Sequence, residues 1–147
     1  MEILRLALSL FIVVCAFLSF RFVIYFAMKM SLSKWSRLNE GEQLIKEKGA
    51  DLQIFFKKKN IHGHIVDKGY ISWGKLILTD QRFFAVTHRG IVLEMNHRQP
   101  GKAKGMGPGR LLILGQTSEE LDVRIEVSIE DEAQWETLIS RFGEGSK

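Results

Sequence analysis

Cysteine is almost missing from this chain: one, Cys15, stands in 147 residues. That excludes a disulfide framework, and nothing downstream of Cys15 argues for an oxidising compartment. Charge is almost missing from residues 6–28, LALSLFIVVCAFLSFRFVIYFAM, where Arg21 is alone in 23 positions. The constellations that mark an enzyme are also missing. No nucleophile stands with a base and no pair of acids stands out, so no catalytic residue is expected. The glycine-rich stretch 101–109 lacks Gly-x-x-x-x-Gly-Lys-Ser/Thr, and Gly105-Met106-Gly107 does not continue as a dinucleotide fingerprint. It reads as a flexible connection, and no cofactor is expected. His62 and His64 alternate on one strand face, but two ligands without a third acid or thiol do not make a metal site. His88 and His97 have no recognisable partners, so no metal is expected. Nucleic acid is not an expected partner either, because no recognised motif accompanies the basic residues.

What the chain does have begins with that apolar run. As a helix it would be about 34 Å long, enough for a hydrocarbon core of about 30 Å. A cleaved signal peptide is a poor description, because the run is too long and no small-x-small site follows it. Val14 stands where a lipoprotein-type Cys15 would need a small residue. Residues 1–28 therefore read as a retained transmembrane anchor. Before the span stand Glu2 and Arg5; after it come Lys29, Lys34, Arg37, Lys46 and Lys48. This basic excess predicts a single-pass topology with the C-terminal domain in the cytoplasm. Arg21 either pairs with a partner helix or, the favoured reading, snorkels to the cytoplasmic headgroups along its own stem. Ser9 and Ser19 do not form a small-residue dimerisation seam.

Met28, Leu32, Trp35 and Leu38 then recur at helical spacing with Lys29, Lys34 and Arg37 between them. Residues 29–39 are expected to form an amphipathic juxtamembrane linker in the interface, with Trp35 at headgroup depth; simple continuation of the span is the alternative. Asn39-Glu40-Gly41 breaks the pattern and marks the boundary of a domain at 40–143, with a tail at 144–147.

That domain reads as β first and α last. Leu44 to Phe56 suggests an opening strand region interrupted around Gly49. Gly69 to Leu78 reads as a second strand, with a change of phase at Gly74 that suggests a bulge. Thr79-Asp80-Gln81-Arg82 is a turn, with Asp80 able to bond the backbone ahead of it. Strands follow at Phe83 to Thr87, Ile91 to Leu93 and Arg110 to Leu114. Asp122 to Ile129 alternates strictly, giving one buried and one wet face. Asp131 and Gln134 have capping-box spacing, and Trp135, Leu138, Ile139 and Phe142 line one side of a final helix.

EGEQLI (40–45), GKLILTDQRFFAV (74–86) and EAQWETLI (132–139) together resemble the GRAM and bacterial PH-like family. The resemblance spans roughly residues 38–143 and is most specific in the hairpin Gly74-x-Leu76-x-Leu78-Thr79-x-x-Arg82. It implies a PH-like antiparallel β-barrel or sandwich plugged at one end by the Trp135 helix. The overall expectation is an α+β, mainly β protein, with a single transmembrane helix ahead of that domain. By the same resemblance, Lys57, Lys58, Lys59 and Lys75 take the places of phosphate-cradling residues. Leu76 and Ile77 stand where a further basic residue would be expected, so loose attraction to anionic lipid is implied rather than stereospecific inositide binding.

Charge is strongly polarised. Residues 57–110 hold eleven Lys or Arg against three acids, a net of +8, whereas 111–147 hold three against nine, a net of −6. The candidate lipid- or partner-binding residues are Lys57, Lys58, Lys59, Lys68, Lys75, Arg98, Lys102, Lys104 and Arg110. The candidate membrane-interface residues are Arg21, Lys29, Lys34, Trp35 and Arg37. The function expected is a non-catalytic, membrane-anchored module that binds a protein partner or serves a membrane complex. The alternative is attraction of its basic loops to anionic lipid headgroups.

Overall fold

The computed structural model describes residues 2–59, 65–117 and 121–142, and side chains are not described at 2, 58–59 and 65–67. Helix α1 (Glu2–Trp35) carries the whole apolar run, with a mean hydropathy of 2.5 over its best window. It is the one helix among the described residues long and apolar enough to cross a membrane. At about 1.5 Å per residue it is about 51 Å long, so it outruns a bilayer core by several turns. The juxtamembrane stretch expected as a separate amphipathic helix is instead its direct continuation to Trp35. No glycine or proline falls between Met28 and Trp35 to end the helix earlier. The Arg21 guanidinium lies 5.8 Å over the Phe17 ring, one turn back toward the N-terminus, and is not extended toward the C-terminal flank. Backward-tilted helical side chains make this i−4 contact the near one.

Seven strands follow: β1 (Leu44–Lys59), β2 (Ile65–Thr79), β3 (Arg82–Thr87), β4 (Gly90–Asn96), β5 (Lys102–Gly105), β6 (Arg110–Gln116) and β7 (Asp122–Ser128). All pair antiparallel in the order β4-β3-β2-β1-β7-β6-β5, and a β4–β6 pairing at Glu94 and Gln116 closes six of them into a barrel. Helix α2 (Glu132–Ser140) covers one end. The fold is thus the helix-capped antiparallel barrel expected from the sequence, with an apolar helix ahead of it.

Inside, Leu52, Ile54, Leu76, Leu78, Phe83 and Ile125 meet Trp135 and Ile139 of α2. Trp135 is fully buried, edge-on to Phe83 with ring centres 6.2 Å apart. The alternation of β7 appears as expected, with Val123, Ile125 and Val127 inward and Asp122, Arg124 and Ser128 outward.

Several local expectations are corrected. β1 is unbroken through Gly49, because Gly49 and Ala50 pair with Lys75 and Gly74 and the ladder supplies what propensity lacks. β2 has no bulge at Gly74; its register is continuous on both sides. A Cβ at Gly74 would stand 2.3 Å from the Val86 carbonyl oxygen, so glycine there permits close strand approach. Ile71 and Trp73 point outward, while Ser72 and Gly74 share the inner face with Leu76 and Leu78. Within 101–109, Lys102–Gly105 is a strand paired with β6. The Thr79 Oγ1, not Asp80, accepts the turn N–H groups of Gln81 and Arg82, while Asp80 accepts from the Gln43 N–H at 2.8 Å. No capping box forms. Asp131 and Gln134 both bind the Lys46 ammonium, which draws them away from the first-turn N–H groups.

Candidate functional site

The last turns of α1 lie on the outside of the barrel. Ile77, Phe84 and Val86 project from β2 and β3 away from the main core, and Leu32 buries itself among them. The Ser31 hydroxyl donates to the His88 carbonyl at 2.6 Å, and Gly90, at φ +137°, faces the Trp35 ring. Trp35 therefore packs against the β3–β4 turn, with the Lys34 ammonium 5.3 Å above its ring. The chain meets that turn at Ser31 and reaches the opposite end, beside the β2–β3 turn, only at Asn39 to Gln43. The barrel end carrying the β3–β4 and β6–β7 connections consequently lies on the side from which α1 arrives. The α2 end, where Lys46 holds Asp131, lies away from it.

A buried ionic cluster fixes the segment between α1 and β1. Glu42 has a fully buried side chain, and its carboxylate takes bonds from Arg82 Nε at 2.8 Å and Arg82 Nη2 at 3.1 Å. The Asn39 N–H and the Thr79 hydroxyl add bonds at 2.7 Å each, and Arg82 Nη1 reaches Glu94 at 3.2 Å. Burial alone would raise the Glu42 carboxyl, but the Arg82, Asn39 and Thr79 bonds outweigh it and hold its pKa below the ordinary value. Each Glu42 carboxylate oxygen accepts two bonds, and the donors come from three different segments, so this cluster is a structural clamp.

The outer face of β1, β7, β6 and β5 carries a groove of about 710 Å³. Phe55, Leu112 and Leu114 form its apolar floor, and Lys57, Lys102 and Arg124 bring positive charge to it. Asp122 is its one acid among the described residues. The Arg124 guanidinium lies 4.4 Å over the Phe55 ring. Strand periodicity accounts for the assembly: Leu112 and Leu114 alternate with the core residues Leu111 and Ile113, so they are left outside. Lys102 is paired across from Leu114, and Arg124 from both Leu114 and Phe55.

Of the residues singled out in the sequence, Lys57 and Lys102 meet in this groove. The others are dispersed. Lys104 is exposed on β5, Lys68 is exposed on β2, and Arg98 is exposed in the β4–β5 loop. Arg110 pairs with Glu126 at 3.4 Å, and Lys75 with Glu47 at 2.7 Å beside α1. The side chains of Lys58 and Lys59, and all of His62 and His64, lie outside the described residues. Among the described residues no three His, Cys, Asp or Glu side chains are grouped to hold a metal. Phe55, Leu112, Leu114 and Arg124 were not singled out, although the alternation of β7 already put Arg124 on its wet face.

A second concavity, about 580 Å³, opens between α1 and β2. Tyr25, Met28, Lys29, Leu32 and Ser33 line it from one face of the helix, Arg37 follows beyond the helix end, and Trp73, Lys75 and His88 line it from the barrel. No family model matches the chain, and no curated protein matches it significantly.

Proposed function

We propose that the chain is a membrane-anchored, non-catalytic recognition module of the GRAM or bacterial PH-like kind. In this reading the barrel groove receives an acidic, partly apolar segment of a protein partner at the cytoplasmic membrane surface. The observation that carries it is the meeting of Lys57, Lys102 and Arg124 around Phe55, Leu112 and Leu114. An apolar floor offers desolvation, and the rim cations select and steer an acidic sequence. The cytoplasmic assignment rests on the basic flank from Lys29 to Lys48. The family assignment rests on the motif residues: Trp135 plugs the barrel, Gly74 permits the β2–β3 approach, and Thr79 and Arg82 organise the hairpin.

Headgroup attraction by the basic loops has less support, since Lys68, Arg98 and Lys104 stand apart on separate elements. The deciding experiment places a photo-crosslinker at Leu114 in the full-length protein in its membrane. A protein adduct lost in Lys57→Glu/Lys102→Glu/Arg124→Glu and kept in Lys104→Glu supports the groove. Adducts to lipid alone, or a protein adduct indifferent to the triple charge reversal, would overturn it.

A further inference from the structure

The cleft between α1 and β2 has a composition that the groove reading does not use. Tyr25 and Met28 belong to the apolar run that fits a bilayer, and Lys29 is the first charge after it. With α1 in a bilayer, the cleft would begin where the hydrocarbon ends, with its mouth at the interface. Tyr25, Met28, Lys29, Leu32 and Ser33 recur at i, i+3, i+4, i+7 and i+8, so one face of α1 forms this wall, and Ser36 extends it past the helix end. Opposite stands Trp73, half exposed, with its ring laid over the β1 backbone at Gly49. An exposed tryptophan facing an interfacial tyrosine is the side-chain pair that headgroup depth favours.

Among the described residues the charge lining the cleft has one sign: Lys29, Arg37 and Lys75 line it and no acid does. Lys75 is bonded to Glu47 from behind, but Lys29 and Arg37 make no ion pair among the described residues. The volume of about 580 Å³ falls within the range of small-molecule sites.

We infer that this cleft holds one anionic glycerophospholipid taken from the surrounding leaflet. Its phosphate would lie among Lys29, Arg37 and Lys75, and its glycerol and first acyl carbons against Tyr25, Met28 and Trp73. The bound lipid would wedge the barrel against its own anchor and couple the domain's orientation to the lipid composition of the membrane. The inference needs α1 to lie in a bilayer but is independent of what occupies the barrel groove.

Native mass spectrometry of the full-length protein tests it, using micelles supplemented with dioleoylphosphatidylglycerol or dioleoylphosphatidylcholine. One phosphatidylglycerol should be retained in preference to phosphatidylcholine. Each lost cation should weaken retention about fivefold, the equivalent of about 1 kcal/mol per basic residue near the surface. Lys29→Gln/Arg37→Gln should therefore weaken it about 25-fold, while Lys104→Gln, with its charge on the far β5 strand, should change nothing. Equal loss in Lys104→Gln would reduce the effect to general charge and overturn the site. Equal retention of both lipids, or displacement by soluble glycerol 3-phosphate, would overturn it as well. A second measurement leaves the cations intact. Brominated phosphatidylglycerol in nanodiscs should quench the fluorescence that Trp73→Phe removes more than brominated phosphatidylcholine does. Equal quenching by the two lipids refutes the inference even if the charge variants fail to fold.

Discussion

Glu42→Gln is the sharpest test of how the domain is clamped to its anchor. Glu42 Oε1 accepts from Arg82 Nε and Thr79, and Oε2 accepts from Arg82 Nη2 and Asn39. A carboxylate presents only acceptors, whereas an amide turns an NH2 donor toward one side of this ring of donors. Thr79 can rotate its hydroxyl to the Arg82 carbonyl at 2.9 Å, but neither the Arg82 N–H nor the Asn39 N–H can turn to accept. The substitution thus leaves a buried guanidinium partly unpaired. Removing one partner of a buried ion pair costs about 3–5 kcal/mol, and the Glu94 contact to Nη1 keeps this case near about 3 kcal/mol. For a domain of this size that is a fall of about 10 °C in Tm. The measurement is thermal and urea unfolding of the full-length protein in micelles, followed by tryptophan fluorescence. Acid should separate the variants further. The Glu42 pKa is depressed by folding, so its stabilisation is complete above the unfolded value of about 4.3 and is lost as pH falls through the folded value. Glu42→Gln should therefore flatten the stability curve below about pH 5. Replacing both residues, Glu42→Leu with Arg82→Met, should cost less than the sum of the single changes. A single variant within about 1 kcal/mol of wild type, with an unchanged acid slope, would refute the clamp.

Trp135→Ala should cost about 3–5 kcal/mol through the cavity it leaves. Trp135→Phe should cost about 1–2 kcal/mol, because the buried indole Nε1 has no hydrogen-bond partner among the described residues to lose, and chemical denaturation of both variants checks the ordering. Gly74→Ala should destabilise by about 1–3 kcal/mol, since the new methyl meets the Val86 carbonyl and Leu52 and the paired backbone cannot withdraw; an unchanged denaturation midpoint would contradict the register. Protease added outside intact cells should spare residues 40–147, and digestion there would reverse the proposed topology. Acid should also loosen α2: the Asp131 carboxyl is held low by its bond to Lys46, so amide exchange over 132–140 should rise at low pH, and an unchanged rate would show that this ion pair does not hold the helix.

Local pattern accounts for what the sequence made legible. The alternation of β7 and the Trp135 face of α2 repeat with the period of their own structure, the apolar run is marked by its length, and the Leu76-to-Phe83 hairpin by its Thr79-to-Arg82 turn. β5 has no such signature, because only Ala103 and Gly105 of Lys102–Gly105 can face inward. Its order comes from β6 and from Glu136 of α2, which accepts the Gly105 N–H at 2.9 Å. Gly49 misled for the same reason: a glycine weakens a strand locally, but β2 alongside it decides the outcome. The barrel groove was half legible. Its lysines stand out as charges, while Leu111 to Leu114 is apolar throughout, and only the pairing with β7 decides which alternate residues face outward.

A half-buried strand alternates, yet Leu76, Ile77 and Leu78 are consecutive and apolar, and Phe83 to Val86 repeats the feature beside them. A strand pair apolar on both faces needs cover on both. The barrel core accounts for Leu76, Leu78, Phe83 and Ala85, leaving Ile77, Phe84 and Val86 in a separate apolar cluster on the outer face. The apolar face of 28–38, expected to lie on the membrane interface, is the other surface available to cover them. Matching the two remainders gives the Leu32 contact, and with it the direction in which the barrel sits on its anchor. The unmatched face of β2 and β3 is therefore what turns a tethered barrel into an oriented one.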